Sequence, residues 1–324
     1  QGLCPPIRRD TYARAAAGAG GPFFVMNYQP MTFRRAIELA APHTWPASVL
    51  PVILGTLLAR QAEGRLQPLV FLLTLLVAVL LQSAVNTLND VRDYVRGTDT
   101  LDNCSNESDA AMLFGQLRPR AGLALGLSFL LAAAILGCAI AWLTSWRIWL
   151  FGAVAALVIG LYALGASDLP LGELLSGISM GGVLPLAAYF GQCGRCNWTE
   201  LYLYLPCVIT IACIMLTNNT ADVSRDRDAG RRTLAVGMGG IWAQRMLCAL
   251  LLLALLGTAL VIVLRFPGGW PVLPVMCIGA LLAVAPLYTA RLVPKLRDRG
   301  MGAALRTHLF IIGGYSAAVA VSLL

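Results

Sequence analysis

Two short runs carry most of the polar chemistry in this sequence: NDVRDYVRGTD at residues 89–99 and NNTADVSRDRDAGRRT at 218–233. On a helix, residues four apart stack on one face. That spacing puts Asn218, Asp222 and Asp226 in one stripe and Asn89 with Asp93 in another. Asn86 and Asp90 lie beside the latter, and Asp99 follows just beyond Gly97. Carboxylates and amide oxygens form an all-oxygen donor set. Mg²⁺ favours such a set and is typically held by a few carboxylates together with substrate phosphates. Arg225, Arg227, Arg231 and Arg232 crowd the second run, and a guanidinium fork matches phosphate oxygens two at a time. The chemistry indicated is metal-assisted handling of a diphosphate.

The elements that must position these residues are apolar. The chain has 324 residues, 58% hydrophobic and only 12% charged, with a mean hydropathy of +0.73. A soluble domain carries about 25% charged residues, whereas a membrane-crossing helix needs roughly 20 apolar ones. The hydropathy pattern suggests an all-α, polytopic membrane protein with nine spans, near 37–59, 67–88, 121–143, 148–166, 171–190, 201–219, 246–264, 271–290 and 308–324. The first is interrupted by Glu38, His43 and three prolines. Each acidic run then sits at the end of a span, the second and the sixth, with no helix breaker before Gly97 or Gly230. The shared Asn-x3-Asp pattern suggests two repeated halves. A substrate with a diphosphate head and an apolar tail accounts for both the charges and the lipid surroundings. Ordinary polar helix ends with snorkelling arginines, or the cation site of an ion-coupled transporter, are the competing readings.

Arginine supplies all but one of the 24 basic residues, the exception being Lys295. With the N-terminus inside, basic residues concentrate in the loops after the second, sixth and eighth spans, as cytoplasmic loops require. The +8 net charge is thereby a topological signature. No basic stripe interleaved with aromatics suggests nucleic acid. Residues 1–25 lack the apolar run of a signal peptide and are expected to be a disordered or non-native extension ahead of one transmembrane domain, 26–324. Cys193 and Cys196 form an isolated CxxC without histidine nearby, so a zinc site is not expected. His43 reads as a packed interfacial residue.

The sequence resembles the UbiA superfamily of membrane prenyltransferases. NDVRDYVRGTD is similar to the first Asp-rich motif of that family, in the form with Gly97 at the last position and Asp99 two residues on. NNTADVSRDRDAGRRTLAVGMG is similar to its second motif. PASVLPVILGTLLA (46–59) and LYALGASDLPLGELLSGISMGGVLP (161–185) resemble other signatures of its menaquinone branch. The resemblance implies a nine-helix bundle, a Mg²⁺ cofactor, polyprenyl diphosphate as donor, and an aromatic acceptor, 1,4-dihydroxy-2-naphthoate in that branch, with 4-hydroxybenzoate, homogentisate, haem or a lipid as the alternative acceptors. It assigns Asn89, Asp90, Asp93, Asp99, Asn218, Asp222 and Asp226 to the metal, with Asp93, Asp222 and Asp226 central to catalysis. Asn89, Arg225, Arg227, Arg231 and Arg232 fall to the diphosphate, and Tyr162 or Glu173 to the acceptor or the allylic cation. Two departures stand out: Arg231 replaces the usual lysine, and APHTWP (41–46) lacks the family's Arg-Pro pair.

The basic asymmetry predicts a multi-pass protein, in a bacterial inner membrane by the resemblance, with the loops around 89–120, 220–245 and 291–306 cytoplasmic. In a cysteine-free background, a cysteine at position 228 is expected to react with an impermeant maleimide only from the cytoplasmic face. Labelling from outside would reverse the topology.

Overall fold

The computed structural model describes residues 28–97, 110–163, 165 and 169–324. Residues 1–25, expected to be an extension, and Asp99 lie outside them. The described chain is helical apart from turns and one isolated bridge between Gln29 and Leu117. Its elements are α1 (Phe33–Ala40), α2 (Pro46–Glu63), α3 (Pro68–Arg96), α4 (Ala111–Phe114), α5 (Pro119–Leu143), α6 (Ile148–Ala163), α7 (Gly172–Cys193) and α8 (Trp198–Ala221). After the short α9 (Val223–Asp228) and α10 (Leu234–Met238) come α11 (Gly240–Arg265), α12 (Pro267–Thr289) and α13 (Pro294–Val321).

Among the described residues, seven helices are long and apolar enough to cross a membrane: α3, α5, α7, α8, α11, α12 and α13. The expected count of nine is not reached among the described residues. The expected span 148–166 is the 16-residue α6, only about 24 Å at 1.5 Å per residue. The first expected span is broken. Ala41 adopts a left-handed conformation, Pro42–Thr44 form a 3₁₀ turn, and α2 starts afresh at Pro46. Its 18 residues end in Arg60, Gln61 and Glu63, which lowers its apolar content. Lipid-facing residues mark the long spans: Leu127, Leu131 and Ile135 on α5, and Leu256, Leu260 and Leu264 on α11, are all exposed. Trp142, Trp146, Trp198 and Trp270 are exposed near helix ends, where aromatic rings settle at a bilayer interface.

The chain divides into two compact units. The first combines Pro42 and the chain before it with Ser83–Ser128 and carries the first acidic run; the second combines His43–Gln82 with Phe129–Leu324 and carries the second. In the first unit, Leu39, Tyr94, Met112 and Leu117 form a core where α1 and α4 pack on the end of α3. In the second, one cluster joins Leu54 of α2, Cys207 of α8, Ile262 of α11 and Tyr315 of α13. Another, beside the acidic run, joins Leu216 of α8, Ala235 of α10, Leu247 of α11, Leu287 of α12 and Ala303 of α13.

Lipid tails are as apolar as leucine, so helices in a bilayer associate through close packing at small residues. Two glycines show how close. A Cβ on Gly181 of α7 would lie 2.5 Å from the Val208 backbone of α8, and one on Gly55 of α2 would lie 2.0 Å from the Pro185 carbonyl oxygen of α7. Gly181 also falls in a π-helical segment, Gly177–Val183, a local widening that often accompanies functional sites. Gly181→Ala is therefore expected to lower thermal stability in detergent by about 1–3 kcal/mol, the usual cost of overpacking. Gly257→Ala, where nothing lies within 4 Å of the added carbon, should leave the melting temperature within a degree or two.

Candidate active site

The second acidic run starts on the last turn of α8 but does not continue it unbroken, as the stripe of Asn218, Asp222 and Asp226 had implied. The helix ends at Ala221, and Asp222, at φ −96° and ψ 12°, joins it to α9. The stacking nonetheless survives. Asp222 N–H donates to Asn218 O at 3.1 Å and Asp226 N–H to Asp222 O at 2.8 Å, so the three side chains keep near-helical spacing across the junction.

A glycine then reverses the chain. Gly230 has φ +75°, its N–H donates to Arg227 O, and the Arg231 N–H reaches Asp226 O at 2.8 Å. This pair of bonds closes a helix C-terminus of Schellman type, in which the left-handed residue is usually glycine. The turn carries Arg231 back over α9, where its Nη1 donates to Asp226 Oδ1 at 2.9 Å. Thr233 Oγ1, 3.5 Å from Asp226 Oδ2, also caps α10 by accepting from Val236 N–H. Asp226 is only 1% exposed, so this cation offsets a desolvation cost that water does not relieve.

Asp222 is also buried, and its counter-charge comes from afar. Arg297, at the first turns of α13, donates from Nε to Asn218 Oδ1 at 2.8 Å, with the same nitrogen 3.3 Å from Asp222 Oδ2. One guanidinium thus spans two members of the stripe. The sequence reading had placed Arg297 only among topological charges; the signal that could have found it was an arginine opening a span that carries another acidic residue, Asp298. Arg225 is partly buried, whereas Arg227 and Arg232 are exposed. Of the four arginines expected at a diphosphate, Arg231 forms an ion pair with Asp226 of the acidic stripe.

Glu173, near the start of α7, is buried beside α8. Asn219 Nδ2 donates to its Oε1 at 2.8 Å, while Oε2 is buried without a hydrogen-bond partner in the structure. A buried carboxylate oxygen left unpaired is costly unless a ligand or water completes it. Tyr162 belongs to α6, but its side chain lies outside the described residues.

In the first unit, α3 runs on through the acidic residues to Arg96 and ends at Gly97, which takes φ +69°. Part of that cluster serves the fold. Asn86 Nδ2 donates to Ala40 O at 3.1 Å and Thr87 Oγ1 to Leu39 O, satisfying carbonyls at the end of α1. Asp90 Oδ1 accepts from Met112 N–H at 3.4 Å, which ties α4 to α3. Asn89 and Asp93 are half-buried, with Arg92 Nη1 4.0 Å from Asp93 Oδ1.

Among the described residues, no three His, Cys, Asp or Glu side chains gather closely enough to hold a metal by themselves. The second run therefore offers not a preassembled metal cage but buried oxygen donors neutralised by arginines. Cys193 and Cys196 are free thiols, and His43 is exposed instead of packed. A cavity of about 460 Å³ opens at the far end of α8, beside Tyr189, Cys196 and Glu200. Its charges are already paired, Arg195 with Glu63 at 2.5 Å and Arg265 with Glu200.

The model of the UbiA prenyltransferase family matches residues 48–312. The 1,4-dihydroxy-2-naphthoate octaprenyltransferase of Bacillus subtilis (strain 168) is 35% identical over 215 residues, covering 65% of this chain and 68% of that protein. The protein of the same name from Mycobacterium leprae is 29% identical over 282 residues, 83% of this chain and 92% of that one. A UbiA homolog from Archaeoglobus fulgidus, solved bound to DMAPP and Mg²⁺, superposes with a TM-score of 0.61 at 17% identity, over 88% of this chain and 99% of the other. The apo UbiA homolog from Aeropyrum pernix K1 gives 0.63 at 18% identity, over 84% and 96%. The helices, the paired acidic runs and these likenesses agree: the chain belongs to the UbiA prenyltransferase family, as a multi-pass integral membrane enzyme that transfers prenyl groups.

Proposed function

We propose that this enzyme moves a polyprenyl group from polyprenyl diphosphate to an aromatic acceptor, 1,4-dihydroxy-2-naphthoate, with Mg²⁺ as cofactor and the acidic runs facing the cytoplasm. The observation that carries the reading is the end of α8: two buried aspartates, each held by an arginine, with an amide oxygen beside them. That donor set is all oxygen, too sparse to enclose an ion alone, and rich in cations suited to phosphate. It fits Mg²⁺ bound jointly with a diphosphate, because Mg²⁺ usually takes only one or two carboxylates and completes its shell with phosphate oxygens and water. The nature of the acceptor rests on the relatives named as dihydroxynaphthoate octaprenyltransferases.

The residues take these roles. Asn218, Asp222 and Asp226, with Asn89, Asp90, Asp93 and Asp99 of the first motif, would hold Mg²⁺, which supplies Lewis-acid stabilisation of the departing diphosphate. Asn89, Arg225, Arg227, Arg231 and Arg232 bind the diphosphate and share its charge as the allylic C–O bond breaks. The acceptor's ring carbon that bears the carboxylate then attacks the allylic carbon, and the C–CO₂⁻ bond breaks with its pair left on the ring, which releases CO₂ and restores aromaticity. Glu173 offers Oε2 as acceptor for a substrate hydroxyl, while Asn219 fixes its other oxygen. Tyr162 would present its ring face to the cation.

Asp93→Ala, Asp222→Ala and Asp226→Ala are each expected to cut Mg²⁺-dependent prenyl transfer by at least about a hundredfold, the scale on which removal of preorganised charge acts, while the protein remains monodisperse. Near-normal turnover in any two of them would sink these assignments. A host lacking its own dihydroxynaphthoate prenyltransferase should regain menaquinone when it carries this chain. Prenylated hydroxybenzoate with no menaquinone would instead mark a different acceptor.

A further inference from the structure

The bond from Arg297 to Asp222 raises a question of competition. Asp222 is 5% exposed, and the guanidinium beside it sits 3.3 Å from Oδ2 while it also holds Asn218 Oδ1 at 2.8 Å. A divalent cation binding to those two oxygens must displace that nitrogen or share them with it. Two positive centres cannot approach the same buried carboxylate cheaply, since in a low-dielectric setting their repulsion is poorly screened. A metal arriving alone would also part a partly buried arginine from these two oxygens. A metal arriving with a diphosphate removes both problems, because the phosphate oxygens give the guanidinium a new acceptor of the geometry it prefers.

We propose that Arg297 is an exchangeable counter-ion that couples metal binding to diphosphate binding. Without substrate it occupies the oxygens of Asn218 and Asp222 and keeps metal affinity low; with substrate it passes to a phosphate oxygen and releases those oxygens to the ion. This rests on the reading above that Asn218 and Asp222 serve a metal–diphosphate pair. The position of Arg297 supports the role. It lies at the N-terminal end of α13, outside the acidic run, on a helix whose Ala303 shares a packed cluster with Leu216 of α8. The carboxylate it holds is also the one at the helix junction, whereas Asp226 is held by the local turn at Gly230. Reciprocity then fixes the thermodynamics: whatever factor diphosphate contributes to metal affinity, metal contributes to diphosphate affinity.

The test uses the full-length chain in lipid nanodiscs, with Mn²⁺ as the probe ion, followed by the loss of its free-ion electron paramagnetic resonance signal, with and without inorganic pyrophosphate. In the wild type, pyrophosphate should tighten Mn²⁺ binding strongly. Arg297→Gln should bind Mn²⁺ alone roughly tenfold more tightly, within the ordinary range of coupling between two ligands, and lose most of the pyrophosphate effect. A residue that merely holds the fold would move both affinities the same way, downward. Should Arg297→Gln fail to fold, Arg297→Lys keeps the charge but not the Nε–H, and an intermediate coupling is expected. Unchanged or weaker Mn²⁺ binding by the folded variant, with the wild type still coupled, would overturn the exchange. Absence of Mn²⁺ binding by the wild type, with or without pyrophosphate, would instead overturn the metal–diphosphate reading itself.

Discussion

A carboxylate removed from water must meet a positive charge or lose its own. That constraint organises the end of α8. Asp222 and Asp226 are both nearly inaccessible, and each is answered by an arginine brought in along a different route. Arg231 comes back over α9 through the left-handed turn at Gly230. Arg297 comes from the last long helix, 79 residues beyond Asn218. The cluster of Leu216, Ala235, Leu247, Leu287 and Ala303 joins the helices that carry these charges. Apolar packing and charge placement are here the same requirement, since small shifts in the helices would part the ions.

Much of this was legible in the sequence. Long apolar runs mark α3, α5, α8, α11, α12 and α13 because a bilayer demands length and hydrophobicity together. The two acidic runs stand out because charge is rare in such a chain. Gly97 and Gly230 fall where the helices stop, each with positive φ. What the sequence hid was of another kind. A stripe of polar residues does not say which are consumed locally. Asn86 resembles Asn89 in type and phase, yet it caps the end of α1, and Asp90 ties down α4. Nor does spacing reveal a partner brought close only by tertiary packing, as Arg297 is. Nor does hydropathy fix helix length: among the described residues a 3₁₀ turn and prolines interrupt the first expected span, and strongly apolar α6 is short at 16 residues.

The helix contacts follow from the medium. With no solvent to expel between them, the helices gain by shape, and glycine supplies it at Gly55 and Gly181. Gly181 lies in the π-helical stretch of α7, a few residues after Glu173. Glu173 therefore sits on a helix whose path is set by backbone-to-backbone contact with α8, the helix that supplies its partner Asn219. One carboxylate oxygen is held by a side chain of the same helix against which the main chain of α7 is packed.

The separation between Asp226 and Arg231 is five residues, and between Asn218 and Arg297 it is 79. During synthesis, α8 and its turn emerge together, so the first of these pairs forms as soon as α9 closes. Asp222 must wait until α11 and α12 have been made and α13 has docked. Until then the growing chain holds an acidic group at a membrane helix end with its eventual counter-charge still unmade. The last helix is thus a late checkpoint in biogenesis: a ribosome that stalls, or a protease that trims the chain before α13, leaves a product whose acidic run is legible in sequence but electrostatically incomplete.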